Sequence, residues 1–221
     1  MILDLHVHSA YSLDSPTAIE TYARRLAELR EGHRLDGFVL MEHNRLLTPA
    51  DCDLAALGRQ YGLVIMAGIE ADTHWGHMLV FGLPPDEWRG IRENGERKQE
   101  PLGFCARAAA AGAVVVPAHP FRGWLGVRDK VVALPGVTAI EGLNGGNSDE
   151  DNRAALDLAA AQGLTVTGGS DAHFPAELAQ AVTEFERDVT DLAGLVAEIK
   201  AGRCRPRRLS ELSRQQVVDS R

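Results

Sequence analysis

Short, nearly continuous apolar runs alternate along the chain with longer segments whose apolar residues recur every three or four positions. The first run, Ile2 to Val7, is interrupted only by Asp4 and His6, the pattern of a strand buried on both faces. From Thr17 to Glu31, the residues Ile19, Tyr22, Ala23, Leu26 and Leu29 fall at helical spacing. Before them, "SPT" offers capping hydroxyls and a proline suited to a helix start. The alternation next predicts a strand in "DGFVLMEH", a helix over "TPADCDLAALGRQYG" closed by Gly62, and a third strand in "LVIMAGIEAD". "GHMLVFGL" follows so closely that it must pair as a hairpin or an edge strand. Helix "PLGFCARAAAAG", strands "AVVVPAHP" and "VTAIEGLN", helix "SDEDNRAALDLAAAQG", strand "LTVTGGSDAH" and helix "VTDLAGLVAEIKAG" complete the series. The polar stretch Pro84 to Glu100 has no clear period and reads as a loop or short helix over one end of the sheet. Repeated strand–helix units with apolar strands imply a parallel sheet covered by helices, wound open or closed into a barrel.

Composition narrows the class. The 221 residues, 45% hydrophobic and 24% charged, can bury a substantial core as one α/β domain or two small ones. No apolar run is long enough to span a membrane, and "MILDLHVH" lacks the features of a secretory signal. Three scattered cysteines, Cys52, Cys105 and Cys204, form no CxxC pair, so a cytoplasmic setting is expected. A formal net charge of −8 argues against a broad basic face that grips nucleic acid. It leaves phosphorylated substrates open, because bound cations invert the local field. The basic segment "KAGRCRPRRLSELSRQQ", a tail from about residue 203, reads as a solvated helix end or a frayed terminus.

The chemistry gathers at strand ends. His6 and His8 are two apart, so both project to one face at the end of the first strand. Alone, they fit a metal pincer or a hydrogen-bonded loop pair equally well. The second strand ends in Glu42-His43-Asn44, the third in Glu70, and the hairpin strand begins at His77. "VVVPAHP" ends in His119, "TAIEGLN" carries Glu141 and Asn144, and "TVTGGSDAH" ends in Asp171 and His173. Six of the eight histidines thus sit beside a strand terminus, and in parallel α/β folds such ends share one rim. With Asp14, Glu70 and Asp171 they make nine nitrogen and oxygen donors, more than one ion needs and suited to zinc, manganese or iron. Two or three divalent ions are expected. His33, in a loop, is expected to be exposed, and His74 competes with the better anchored His77.

The ordered set "HVHSAYSLDS", "MEHN", "GIEAD", "GHMLVFG", "AHPF", "IEGLNG" and "GGSDAH" resembles the PHP (polymerase and histidinol phosphatase) family over essentially the whole chain. The resemblance implies one PHP domain over 1–221, a distorted seven-stranded β/α (TIM-like) barrel with a trinuclear site at its carboxyl rim. It assigns His6, His8, Glu70 and Asp171 to the first ion, and Glu70, His77 and His119 to the second. Asp14, His43 and His173 would hold the third, where the carboxylate of Asp14 replaces a histidine found in some members. It further implies a phosphoesterase acting on a mono- or diester through a metal-bound hydroxide, with Glu70 and Asp171 as the catalytic metal carriers.

The expected substrate is a small phosphorylated molecule (a sugar, amino alcohol, nucleotide or short oligonucleotide), with no membrane partner and no stable nucleic-acid complex. Arg122, three residues past His119, is the better-placed phosphate fork and Arg45 the second. Trp75 and Trp124 suit stacking on a ring or packing, and Cys105 reads as packed in its alanine-rich helix. Two rivals stand beside this reading. One is a metal-dependent amidohydrolase, for which Lys98, Lys130 and Lys200 offer no strand-end lysine; the other is a silent regulatory module that keeps metal for stability.

Overall fold

The computed structural model describes residues 1–92 and 98–212. All six residues of β1 (Ile2–Val7) are buried, as its apolar run requires. β2 (Gly37–Leu40) pairs parallel on one side of it and β9 (Ala181–Phe185) antiparallel on the other. β3 (Val64–Ala67) and β10 (Cys204–Arg208) complete a sheet ordered β10-β9-β1-β2-β3. Gly37 permits the β2–β3 contact, since a Cβ there would stand 1.8 Å from the Val64 carbonyl oxygen.

A second, antiparallel sheet joins β4 (Ile69–Thr73), β5 (Gly76–Phe81) and β6 (Val114–Pro117). β7 (Ala139–Asn144) and β8 (Thr165–Gly169) pair in parallel as a third. The predicted strand "LVIMAGIEAD" is therefore two strands, β3 and β4, which leave Gly68 to enter different sheets. A Cβ at Gly68 would lie 2.6 Å from the Val80 oxygen and 2.7 Å from Met41 Sδ, so only glycine fits the crossing. Single hydrogen bonds stitch the sheets edge to edge. Asn44 N donates to Glu70 O (2.8 Å), Asp171 N to His6 O (2.7 Å) and His8 N to Ala172 O (2.9 Å). Among the described residues the fold is a mixed α/β arrangement of three sheets, of five, three and two strands, with no continuous closed barrel.

Helices α1 (Ile19–Leu29), α2 (Leu54–Tyr61), α3 (Pro85–Arg92), α4 (Pro101–Ala110), α5 (Asp149–Gln162) and α6 (Leu192–Lys200) accompany the strands. α1 buries Ile19, Tyr22, Ala23 and Leu26, the face its period predicts. The hydroxyls of "SPT" do not cap it. Ser15 Oγ and Thr17 Oγ1 both donate to His173 O at 2.9 Å and tie this loop to the far end of the chain. Gly62 closes α2 in the left-handed region at φ 65°, and α3 occupies part of the stretch without a period.

The basic segment departs from expectation. Cys204–Arg208 is neither a helix end nor frayed but an edge strand, with Arg205 and Arg207 paired to Glu184 at 2.9 and 3.2 Å. The arginines are spaced so that β9 supplies the opposing carboxylate, a cross-strand pairing that periodicity does not reveal. The end of that segment, from residue 213, lies outside the described residues. Among the described residues no helix is long and apolar enough to cross a membrane.

Candidate metal centre

β1 delivers the first two groups. His6 and His8 are fully buried, with their Nε2 atoms 3.0 Å apart. Asp171 Oδ1 lies 3.3 Å from both nitrogens. The central group is Glu70. Its Oε1 lies 3.5 Å from His6 Nε2, 3.0 Å from His77 Nδ1 and 3.1 Å from His119 Nε2. Its Oε2 lies 3.2 Å from His8 Nε2 and 3.1 Å from His43 Nδ1. Glu70 and His77 come from the antiparallel β4–β5 hairpin, not from carboxyl ends of parallel strands. Asp14 Oδ2 reaches His43 Nε2 at 3.2 Å and His173 Nε2 at 3.3 Å. All nine predicted donors therefore converge. Their side chains come from loops and strands spread over the chain from His6 to His173.

The backbone is bent to make this possible. His119 (φ 28°) and Asp171 (φ 58°) adopt left-handed conformations that a side chain disfavours. Hydrogen bonds hold both: His119 N donates to Glu141 Oε2 at 2.7 Å, and Asp171 N to the His6 carbonyl.

Burial and ion pairing set the charges within the cluster. Burial opposes charge on His6, but the carboxylates of Asp171, Glu141 and Glu70 outweigh it and hold its pKa well above the usual value. Burial likewise opposes His8, yet the adjacent carboxylates of Asp171 and Glu70 push it up to about 9. Burial would raise Glu70, but the charge of His6 and hydrogen bonds from His119, His6 and His77 hold it well below the carboxylate range. Asp171 follows the same pattern, with His6 and His8 overcoming burial. Burial lowers His43, only partly offset by Glu70. The raised His6 and His8 and the lowered Glu70 and Asp171 thus stabilise one another's charges.

A fit to metal ions rests on the donors themselves. Buried His119 Nδ1 has no hydrogen-bond partner, and Glu70 Oε2 has only the ion-pair approach of His8 and His43, neither in hydrogen-bonding geometry, a costly state unless another group satisfies them. Three overlapping trios offer donor atoms within 4.8 Å of one another: His6-His8-Asp171, His43-Glu70-His77 and His8-His43-His173. The donor set is nitrogen and oxygen throughout, as zinc, manganese or iron prefers.

Several residues outside the predicted set complete the frame. Glu141 Oε1 is hydrogen-bonded to His6 Nδ1 at 2.9 Å and so orients that ring. Asp72 Oδ1, buried and without a hydrogen-bond partner, lies 3.5 Å from His77 Nε2. The signal for Asp72 was present: it is two residues from Glu70 on β4 and shares its face. Glu42 accepts hydrogen bonds from the backbone and hydroxyl of Ser9 and from the Ser12 hydroxyl. Asp4 accepts from Ser170 N (2.8 Å) and Ala179 N (2.9 Å), and burial pushes its pKa up to about 6.

The two arginines differ. Arg122 reaches the centre, donating to Asp171 Oδ2 at 2.6 Å, Asn147 Oδ1 at 2.7 Å and Asn144 Oδ1 at 2.5 Å. Arg45 pairs with Asp51 at 2.7 Å and lies over the Tyr11 ring at 4.7 Å. His74 is exposed in the β4–β5 turn, and His33 is half-buried before β2, not exposed. Cys105 is buried in α4, its thiol pushed up to about 12 by burial, so it is packed and unreactive.

Residues 149–204 match the family model described as PHP-associated. No curated relative matches the chain by sequence. Solved structures share its fold. One is a two-domain protein from Bacteroides vulgatus containing a predicted PHP-like metal-dependent phosphoesterase, with TM-score 0.65 and 19% identity over 99% of this chain and 68% of that one. Another is the lesion-specific endonuclease PfuEndoQ from Pyrococcus furiosus, with TM-score 0.60 and 20% identity over 91% of this chain and 56% of that one. A third is an amidohydrolase from Chromobacterium violaceum with bound sulfate, with TM-score 0.62 and 19% identity over 79% of this chain and 88% of that one. The chain thus carries a PHP-associated segment over residues 149–204 and shares its fold with a protein containing a predicted PHP-like metal-dependent phosphoesterase.

Proposed function

We propose that the chain is a metal-dependent phosphoesterase that hydrolyses a small phosphorylated substrate. The observation that carries this reading is Glu70, a buried carboxylate ringed by His6, His8, His43, His77 and His119 at 3.0–3.5 Å. His6, His8, Glu70 and Asp171 would hold one ion, Glu70, His77 and His119 a second, and Asp14, His43 and His173 a third. Divalent transition ions bound there would acidify a water and draw charge from a phosphoryl group. The protein's own part is placement. Glu70 anchors the centre, and Asp171 joins it to substrate recognition, with one oxygen on His6 and His8 and the other on Arg122. Arg122, clamped by three acceptors, presents a preorganised fork to phosphoryl oxygens. Arg45 is a secondary contact. We also read residues 1–221 as one domain related to a distorted seven-stranded β/α barrel, working in the cytoplasm without a stable nucleic-acid partner.

Because the fold is shared by a named endonuclease and a named amidohydrolase, the site must discriminate. The lysines point away from amide chemistry that uses a bridging lysine. Lys98 lies over Trp124, Lys130 over Trp75, and Lys200 donates to Gly112 O. The decisive test reconstitutes the metal-free protein with manganese, iron(II) or zinc in turn and offers panels of phosphate esters and amides. Release of phosphate or of the ester's alcohol is expected; hydrolysis confined to amides would overturn the reading.

A further inference from the structure

Two clefts meet at Asp14 and share no other lining residue. One, about 370 Å³, is bordered by Tyr11, Leu13, Asp14, His43 and Arg45. The other, about 380 Å³, is bordered by Asp14, Arg122, Asp171, His173, Phe174 and Gln180. Both open directly onto the metal centre, and each has a size that takes a small organic group.

Their surfaces are alike in kind. In the first, Tyr11 carries Arg45 over its ring and Leu13 is fully exposed beside it. In the second, the Phe174 ring is half exposed. Neither apolar group is on a loose end. Glu177 accepts from His173 N and Phe174 N at 2.9 and 3.1 Å, and Ser15 and Thr17 bind the His173 carbonyl, so the Leu13 and Phe174 loops are locked together. Each arginine arrives with its charge balanced, Arg45 by Asp51 and Arg122 by Asp171. The Tyr11 ring with Leu13 in one cleft and the Phe174 ring in the other give an organic substituent a surface to lie on, which leaves the Arg122 fork for the phosphoryl group.

We infer that the substrate is a phosphodiester, its two organic substituents lying in the two clefts and its phosphoryl group beside Asp14 between them. A monoester has one such substituent and would leave one cleft empty. The inference rests on the phosphoesterase reading. In the reaction, the oxygen of water bonds to phosphorus, one P–O ester bond breaks, and the departing oxygen receives the water's proton, giving a monoester and an alcohol with no other reactant.

The test compares kcat/KM of the manganese-loaded protein for bis(para-nitrophenyl) phosphate and for para-nitrophenyl phosphate, in the wild type and in Leu13→Ser and Phe174→Ala. Both side chains are exposed, so melting curves and metal content should match the wild type. The diester is expected to be the better substrate by about tenfold or more, and each substitution should raise its KM and lower the diester-to-monoester ratio about three- to tenfold. A faster monoester would overturn the inference while leaving the phosphoesterase reading intact. A preferred diester whose KM ignores both substitutions would also overturn it. Hydrolysis of neither ester would remove the phosphoesterase reading itself.

Discussion

Glu70 and Asp14 occupy the same centre under opposite conditions. Glu70 is fully buried against five imidazoles, whereas the Asp14 side chain is about half exposed and pairs with His43 and His173. Glu70→Gln removes the only negative charge common to the first two proposed ion sites, and Asp14→Ala alters the third alone. Metal titration should therefore show Glu70→Gln losing more than one bound ion and Asp14→Ala no more than one; the reverse order would refute the assignment. Glu141 acts one step behind, through His6 Nδ1 and the His119 backbone. Glu141→Gln keeps the shape but weakens the acceptor that orients His6, so metal affinity should fall about ten- to a hundredfold. Competition with a chelator of known affinity measures this, and rescue of activity by raised metal concentration separates positioning from misfolding.

At the scale of elements, the close approach of β2 and β3 rests on one missing side chain. Gly37→Ala would place a Cβ against the Val64 carbonyl, a backbone atom that cannot rotate away. The ladder between Gly37–Leu40 and Val64–Ala67 must then shift or part. A loss of about 1–3 kcal/mol or more is expected from chemical denaturation, and an unchanged midpoint would show that the strands can slide without cost. His43, just beyond β2, should respond as well, so the same variant should bind metal more weakly. Element identity was largely legible from periodicity. The exceptions, β9, β10 and the division of one run into β3 and β4, are places where pairing decided. Nothing in "CRPRR" is apolar enough to read as a strand, yet Glu184 on β9 makes it one.

For the whole molecule, charge links protonation, metal and stability. Raised histidines contribute stability that is complete below their unfolded value near 6.5 and is lost as pH climbs through the folded value, about 9 for His8. His6 and His77 are raised as well and act in the same direction. The lowered carboxylates Glu70 and Asp171 contribute above their unfolded values of 4.5 and 3.8 and lose that contribution as pH falls. Lowered His43 works the other way from the raised histidines, but only below 6.5. The metal-free protein should thus weaken steadily between pH 6.5 and 9. Bound metal displaces the same protons, so apparent metal affinity should rise over that interval. Denaturation midpoints with chelator and with metal, at several pH values, check both slopes; metal-free stability that rises toward pH 9 would contradict them.

The sequence by itself determined which donors exist and which pairs share a face. His6 with His8, and Glu70 with Asp72, are two apart on strands, and that period is a local property of the backbone. It also determined the apolar stripe of α1 and the glycine stop of α2. Tertiary structure alone decided that Glu141 holds a ring 135 positions away and that Arg122 grips Asp171. It also turned Ser15 and Thr17 from expected helix caps into ties to His173. These contacts depend on strand order, register and the crossing at Gly68, and such pairings between distant segments leave no period along the chain.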